Sequence, residues 1–204
     1  MSDQPLGEFG LIDWIRARRP ALTPEQGVVG DIGDDCATVR FRDPFVVVTT
    51  DMLMDGRHFL LDRDGPEAAG YKAMGVNISD VAAMAATPRF ATVAVALPRR
   101  DSTAVARGLD AGLRRMAERF SVHIVGGDTN AWGGPLVVSV TLLGETSKSG
   151  AATRSGAKVG DVIFVTGPLG GSLFRGRHLR PVPRVAEAAA LLAVGPIHAM
   201  IDLS

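Results

Sequence analysis

Residues 72–86, KAMGVNISDVAAMAA, form the stretch that decides the fold. Met74 and Ile78 recur at helical spacing, so they place an apolar stripe on one side of a helix. Pro66 suits the first turn of that helix, because a missing N–H costs nothing there. The pattern therefore predicts a helix that starts near Pro66 and stops before Pro88.

An aspartate lies inside this helical stretch, next to a run of small and apolar residues. An unpaired carboxylate is expensive to desolvate in such surroundings, and metal ligation by Asp80 would relieve that cost. A kink in the helix, capped by Asn77 or Ser79, explains the same residues without a metal.

Four further segments place an aspartate among glycines, threonines or serines beside an apolar run. They are residues 30–35 (GDIGDD), 49–51 (TTD), 126–129 (GGDT) and 201–204 (IDLS). Mg²⁺ prefers carboxylate and hydroxyl oxygens, and glycines let a phosphate approach the backbone. If the fold gathers these segments, they form an anionic pocket for several divalent cations and a polyphosphate. Taken singly, each also fits an ordinary turn, capped strand end or hairpin corner.

Arg154 and His58 are two further candidates. Arg154 is an isolated cation in a small-residue loop, which fits either a phosphate contact or a solvated linker charge. His58, near Asp51, fits either a substrate contact or a surface imidazole. The chain has neither a Gly-x-x-x-x-Gly-Lys-Ser/Thr loop nor a His/Cys cluster suited to zinc. A nucleotide would therefore be held mainly through metal bridges, assisted by glycine amides and arginines.

The composition is that of an ordinary globular chain of one or two domains, with 46% hydrophobic and 22% charged residues. Lys+Arg and Asp+Glu both number 22, so no basic field attracts nucleic acid or an anionic membrane. The longest weakly polar stretch, residues 188–201, is too short to span a bilayer. With the lone Cys36 unable to form an internal disulfide, we expect a cytoplasmic protein.

Strand and helix signals alternate along the chain. They predict strands at residues 46–48, 91–97, 122–125, 136–143 and 161–166. They also predict a short opening helix and an alanine-rich helix after a basic loop at residues 175–184. A further helix, opened by Asp101 or Ser102, carries the apolar stripe Val105, Leu109, Leu113, Met116 and Phe120. Residues 145–158 are rich in Ser, Thr, Gly and Ala and resemble a linker.

Together, the motifs resemble thiamine-monophosphate kinase. They are GDDCA at 33–37, TTDML at 49–53 with His58-Phe59, KAMGVNISDVAAMAA at 72–86, GGDT at 126–129, TRSGA at 153–157 and RHLR at 177–180. The same superfamily contains aminoimidazole ribonucleotide synthetase, selenophosphate synthetase and a hydrogenase maturation protein, which differ in these segments.

The resemblance implies an α+β first domain at residues 1–146, whose four-stranded sheet has flanking helices and pairs across a homodimer. Residues 147–204 would begin an α/β second domain, with ATP in the cleft between the two. In the family, the final segment continues into an Asp-Gly pair and a large remainder. We therefore expect this chain to be a fragment or a natural truncation, with an incomplete site.

The resemblance also implies roles for individual residues. The family's metal ligands match Asp35, Thr49, Thr50, Asp51, Asp80, Asp128 and Asp202; its nucleotide contacts match Gly127, Asp128, Arg154 and Ser204; its thiamine phosphate contact matches His58. The implied reaction is phosphorylation of thiamine monophosphate by ATP with several Mg²⁺ ions, and the shared-metal ligands Asp51, Asp80 and Asp128 are the expected catalytic residues. The alternatives are another ATP-dependent synthetase of the superfamily and a non-catalytic dimerisation module.

Overall fold

The structure, a computed structural model, describes residues 10, 13–15, 17–18, 25, 27–30, 38–42, 45–146 and 150–203. Its elements are β1 (Val28–Gly30), β2 (Thr38–Val39), β3 (Val46–Met54), α1 (Leu61–Ala83), β4 (Thr87–Pro98), α2 (Ser102–Arg119), β5 (His123–Trp132), β6 (Val137–Glu145) and α3 (Val185–Val194), with short 3-10 turns at Arg154–Gly156 and Arg177–Leu179. None of the helices in the described part of the chain is long and apolar enough to cross a membrane.

The main sheet has four strands in the order β3-β6-β4-β5. Strand β6 pairs antiparallel with both β3 and β4, whereas β4 and β5 are parallel and joined through α2. Helices α1 and α2 pack together and bury the same apolar core as the sheet. This arrangement confirms the predicted α+β class with a four-stranded sheet and flanking helices.

Strand β3 runs further than the sequence predicted. Its nine residues all pair with β6, from Val46 opposite Glu145 to Met54 opposite Val137. Residues 49–51 therefore lie inside the strand, and the prediction that the strand ends after Val48, just before Asp51, is wrong. The polar triplet does not end the strand because β6 supplies backbone partners along its whole length.

Strand β5 corrects the sequence prediction in the same way. The Gly-Gly-Asp segment at residues 126–128 was expected to leave a strand, but β5 continues through it to Trp132. Parallel pairing with β4 holds this stretch extended, up to Pro98 opposite Trp132. A neighbouring strand thus outweighs the turn preference of glycine and aspartate.

Helix α1 begins and ends close to the predicted positions. Gly65 breaks its first turn with φ 78° and ψ 158°, so the regular run starts at Pro66 and ends at Ala83. In α2, the four predicted stripe residues that lie within the helix are all buried: Val105, Leu109, Leu113 and Met116. The two helices cross at glycines, since a Cβ on Gly112 would lie 1.9 Å from the Glu67 carbonyl oxygen.

Residues 161–166 differ from the sequence prediction, because they belong to no strand. A β-strand needs a partner for its backbone groups, and no described residue pairs with this segment. Its apolar side chains are largely exposed, with Ile163 at 91% and Phe164 at 77%. The alanine-rich helix predicted after the basic loop is present as α3.

Candidate metal and nucleotide site

The site begins where α1 lies against the edge strand β3. The Thr49 hydroxyl donates to Asp80 Oδ2 over 2.8 Å and joins the strand to the helix. Asp51 follows two residues later, and side chains two apart on a strand point to the same face. The strand–helix contact therefore brings together two candidate carboxylates from segments 29 positions apart in the sequence.

The segment after α3 brings a third carboxylate to this place. The Ser79 hydroxyl donates to Asp202 Oδ1. The other oxygen, Oδ2, is shielded from solvent and has no hydrogen-bond partner among the described residues. A buried carboxylate oxygen without a donor is costly, and a bound cation would satisfy it. This observation fits the oxygen ligands that the sequence predicted for Mg²⁺.

The carboxylates are close enough to repel one another. Burial raises the pKa of Asp51, the neighbouring carboxylates Asp80 and Asp202 raise it further, and His58 acts in the opposite direction. These causes all make ionised Asp51 less favourable, except the influence of His58. A divalent cation would reverse this balance by offsetting the accumulated negative charge.

A cavity of about 360 Å³ opens beside these groups. Asp80 and Asp202 line it together with Arg154, and Met84 and Met200 add apolar surface. The cavity therefore combines acidic oxygens, one guanidinium group and an apolar wall. Such a mixture suits an anionic ligand with an attached ring system, bound through cations.

Arg154 reaches the cavity because its loop docks on the end of α1. The Ala152 N–H donates to the Met84 carbonyl over 3.0 Å, and the Met200 N–H donates to the Thr153 carbonyl over 3.1 Å. Gly156 permits the close approach of the two segments, because a Cβ there would lie 1.8 Å from the His198 carbonyl oxygen. These contacts place the predicted cation and Asp202 at one cavity.

His58 lies in the connection between β3 and α1. Its Nδ1 accepts the Met54 N–H at 3.0 Å, and its carbonyl accepts a hydrogen bond from Lys72 Nζ at 2.6 Å. Burial lowers the pKa of Lys72, and Asp64 partly opposes that shift. The charge of the His58 imidazole lowers the pKa of Asp51, so His58 acts electrostatically on the acidic cluster.

Asp128 is not brought to the acidic cluster. It lies on β5, in a row across the sheet with Ala94, Ser139 and Met52. Three strand spacings, about 14 Å, separate that position from β3. The exposed Asp128 carboxylate accepts a hydrogen bond from Asn130 Nδ2 at 3.0 Å. Within one chain, the sheet order therefore separates Asp128 from Asp51.

Gly127 and Thr50 also lie away from the cluster. A Cβ on Gly127 would lie 2.0 Å from the Val93 carbonyl oxygen, so strand packing alone requires a glycine there. The Thr50 hydroxyl accepts from the Thr141 hydroxyl at 3.2 Å, on the face of the sheet opposite the Thr49 contact with α1. In the current arrangement, neither residue touches the cavity.

Asp35 and Ser204, which the resemblance predicts as a metal ligand and a nucleotide contact, lie outside the described residues. Within the described part of the chain, no three acidic, histidine or cysteine side chains lie close enough to enclose a single metal ion. Two of the candidate carboxylates are instead held by hydroxyls, Asp80 by Thr49 and Asp202 by Ser79.

Sequence reasoning gave no site role to Asn77 and Ser79 beyond a possible cap. Both are helix residues that bond to distant segments: Asn77 to β3 and Ser79 to Asp202. Asn77 has a signal in the sequence, because it lies one helical turn before Asp80 and between apolar residues, whereas Ser79 directly precedes Asp80 and has none. The identity of each partner is set by tertiary contacts.

Comparison with known proteins gives the family. A protein-family sequence model described as "AIR synthase related protein, N-terminal domain" matches residues 33–146. This match covers more than half of the chain and contains the whole four-stranded sheet with α1 and α2. The chain belongs to the AIR synthase-related family.

Individual members of the AIR synthase-related family are similar over nearly the whole chain. Thiamine-monophosphate kinase of Rhodopirellula baltica is 41% identical over 205 residues, which cover 97% of this chain and 63% of the relative. The crystal structure of thiamine-monophosphate kinase from Stenotrophomonas maltophilia K279a has a TM-score of 0.77 at 34% identity, covering 95% of this chain and 66% of that one. A solved complex of AaThiL with AMPPCP and TMP has a TM-score of 0.67 at 35% identity, covering 91% and 62%.

These similarities confirm the resemblance to thiamine-monophosphate kinase that the ordered motifs predicted. The chain spans less than two thirds of the length of the Rhodopirellula baltica relative.

Proposed function

We propose that this chain provides the metal and nucleotide site of a kinase that transfers the γ-phosphoryl group of ATP to thiamine monophosphate. The products are thiamine diphosphate and ADP. The observation that carries the proposal is the grouping of Asp51, Asp80 and Asp202 beside a cavity that Arg154 also lines. The solved AaThiL complex with AMPPCP and TMP supports this pair of ligands.

Several magnesium ions would be shared among the carboxylates of Asp51, Asp80 and Asp202 and the Thr49 hydroxyl, with no single ion held by all three carboxylates. The unpartnered Asp202 oxygen and the raised pKa of Asp51 support this assignment. When bound, Mg²⁺ neutralises and aligns the donor and acceptor phosphates. By resemblance, we add Asp35, Thr50 and Asp128 as ligands of further ions, and Gly127 and Ser204 as nucleotide contacts.

The residues of the chain meet the main difficulty of the reaction, which is the approach of two anions. Unit charges 4 Å apart repel by about 4 kcal/mol at an effective dielectric near 20. Arg154 offsets part of this charge on the nucleotide phosphates, and His58 contacts the thiamine phosphate. The bond between the acceptor oxygen and the γ-phosphorus forms as the bond from that phosphorus to the leaving ADP oxygen breaks. The acceptor oxygen is already anionic, so no general base is needed.

We further propose that the open face of the sheet pairs with a second copy of the chain. On β3, this face presents Val48 at 64% and Met52 at 57% exposure, next to the exposed hydroxyl of Thr50. An apolar patch on a sheet is unfavourable in water and favours a partner with the same surface. Sedimentation equilibrium should give a dimer for the wild type and a monomer for Met52→Glu. A monomeric wild type would contradict this proposal.

We assign residues 1–146 to a first domain and residues 147–204 to the start of a second, as the resemblance implies. The last strand of the main sheet ends at Glu145, which supports this division. We place the reaction in the cytoplasm, because a chain with one cysteine suits a reducing compartment.

The direct test uses ³¹P NMR of ATP, thiamine monophosphate and Mg²⁺ with the protein. We expect the signals of thiamine diphosphate and ADP to grow together and to stop when the metal is chelated. Hydrolysis of ATP without thiamine diphosphate would contradict the assigned acceptor. Calorimetric binding of ATP·Mg²⁺ without turnover would instead support the non-catalytic module.

A further inference from the structure

Asn77 is a fully buried polar side chain in the middle of α1, with 0% of its surface exposed. Its Nδ2 donates to the Ala73 carbonyl over 2.9 Å, one turn earlier in the helix. Its Oδ1 accepts the backbone N–H of Asp51 at 3.1 Å. Both ends of the amide therefore have partners, as a buried polar group requires.

The amide has one orientation that satisfies both contacts. A backbone N–H requires an acceptor and a carbonyl requires a donor, so the oxygen faces β3 and the nitrogen faces the helix. Strand β3 is at the edge of the sheet, where some backbone groups have no neighbouring strand. Asn77 supplies the missing acceptor at the residue that carries the Asp51 carboxylate.

A second hydrogen bond near Asn77 joins the same strand to the same helix. Thr49 bonds to Asp80 as Asp51 bonds to Asn77, so two strand residues match two helix residues. The two strand positions are about 6.6 Å apart along β3, and the two helix positions are about 4.5 Å apart along α1, so each hydrogen bond joins one position on the strand to one on the helix. These two bonds fix how far β3 can slide along α1. They therefore fix the separation of the Asp51 and Asp80 carboxylates.

We propose that Asn77 is a positioning residue that sets the spacing of the Asp51 and Asp80 carboxylates for divalent-ion binding. This inference rests on the proposed function, because it assumes that the acidic cluster binds cations. Asn77 itself does not touch the ion. It acts through the backbone of Asp51.

The variant Asn77→Ser should keep the hydrogen bond to the helix and lose the one to the strand. A serine hydroxyl can still donate to the carbonyl four residues earlier in a helix, but it is too short to accept from the strand. We expect the Mn²⁺ affinity of Asn77→Ser, measured by calorimetry with Mn²⁺ as the only ligand, to be about tenfold weaker than that of the wild type. The control Ile78→Val removes one buried methylene beside Asn77 and should lower the melting temperature while changing Mn²⁺ affinity less than twofold.

A double-variant cycle distinguishes positioning from general loosening. In the Asp51→Asn background, the carboxylate that Asn77 positions is gone, so Asn77→Ser should weaken the residual Mn²⁺ binding less than twofold. Its effect on the melting temperature should persist.

Several outcomes would overturn the inference. These are unchanged Mn²⁺ affinity in Asn77→Ser, an equal loss in Ile78→Val, or an equal loss in the Asp51→Asn background. A wild type that binds no Mn²⁺, or whose binding is unchanged by Asp51→Asn, would remove the proposed metal site together with the inference. The other outcomes leave that site intact and remove only the role of Asn77.

Discussion

Asp80→Asn is expected to reduce phosphoryl transfer about a thousandfold while leaving the fold intact. The asparagine oxygen can still accept the Thr49 hydroxyl, so the strand–helix contact remains. The variant loses a negative ligand oxygen, and losing about 4 kcal/mol of charge stabilisation corresponds to a thousandfold in rate. Turnover at saturating Mg²⁺ and calorimetric Mg²⁺ titration measure the effect.

The same variant should change how the stability of the metal-free protein depends on pH. Because folding raises the pKa of Asp51, the folded state holds this proton more tightly than the unfolded chain. This contribution to stability is complete at acidic pH and is lost as the pH rises through the raised pKa. Asp80→Asn removes one of the neighbouring carboxylates that cause the shift, so its stability should fall less over that window.

At neutral pH without Mg²⁺, Asp80→Asn should therefore melt slightly above the wild type, and the difference should be small because solvent screens the charge of the partly exposed Asp51. With Mg²⁺ present, the order should reverse, because ligand binding stabilises only a competent site. The control Asp62→Asn removes one charge from an exposed position in the first turn of α1 and should show neither effect. Near-normal turnover of Asp80→Asn would contradict the assignment.

Local patterns in the sequence predicted the helices well. The stripe from Val105 to Met116 and the Pro66 start depend on residues a few positions apart, so the sequence itself carries the information. Strand limits were predicted less well, because pairing with a neighbour decides them. Residues 126–128 are extended beside β4 despite their turn preference, and residues 161–166 have a strand composition but no described partner.

The candidate site likewise contains residues that the sequence predicted and contacts that only the fold determines. Chemistry pointed to Asp51, Asp80 and Asp202, and the fold brings these three residues near one another. It also pointed to Asp128, but the order β3-β6-β4-β5 places that residue on the far edge strand. Sheet order is a long-range property that no short motif encodes. The contact between Asn77 and Asp51 was missed for a similar reason, since its two partners are 26 positions apart.

Gly112→Ala should destabilise the fold strongly, although it adds only one methyl group. A Cβ at this position would lie 1.9 Å from the Glu67 carbonyl oxygen and 2.7 Å from the Tyr71 nitrogen, both of which are backbone atoms of α1. Backbone cannot rotate away as a side chain can, so α1 and α2 must separate. Alanine favours a helix over glycine by about 1 kcal/mol, but overpacking a close contact costs about 3 kcal/mol or more.

We expect Gly112→Ala to lower the melting temperature by at least about 4 °C, measured by circular dichroism. Gly133→Ala makes the same chemical change where a Cβ would have no neighbour within 4 Å, so it should melt within about 1 °C of the wild type. Because α1 carries Asn77, Ser79 and Asp80, separating the helices should also weaken divalent-ion binding in the protein that remains folded. A Gly112→Ala variant with the melting temperature of the wild type would show that the two helices move apart at little cost. The glycine crossing would then not fix the position of α1 beside the acidic cluster.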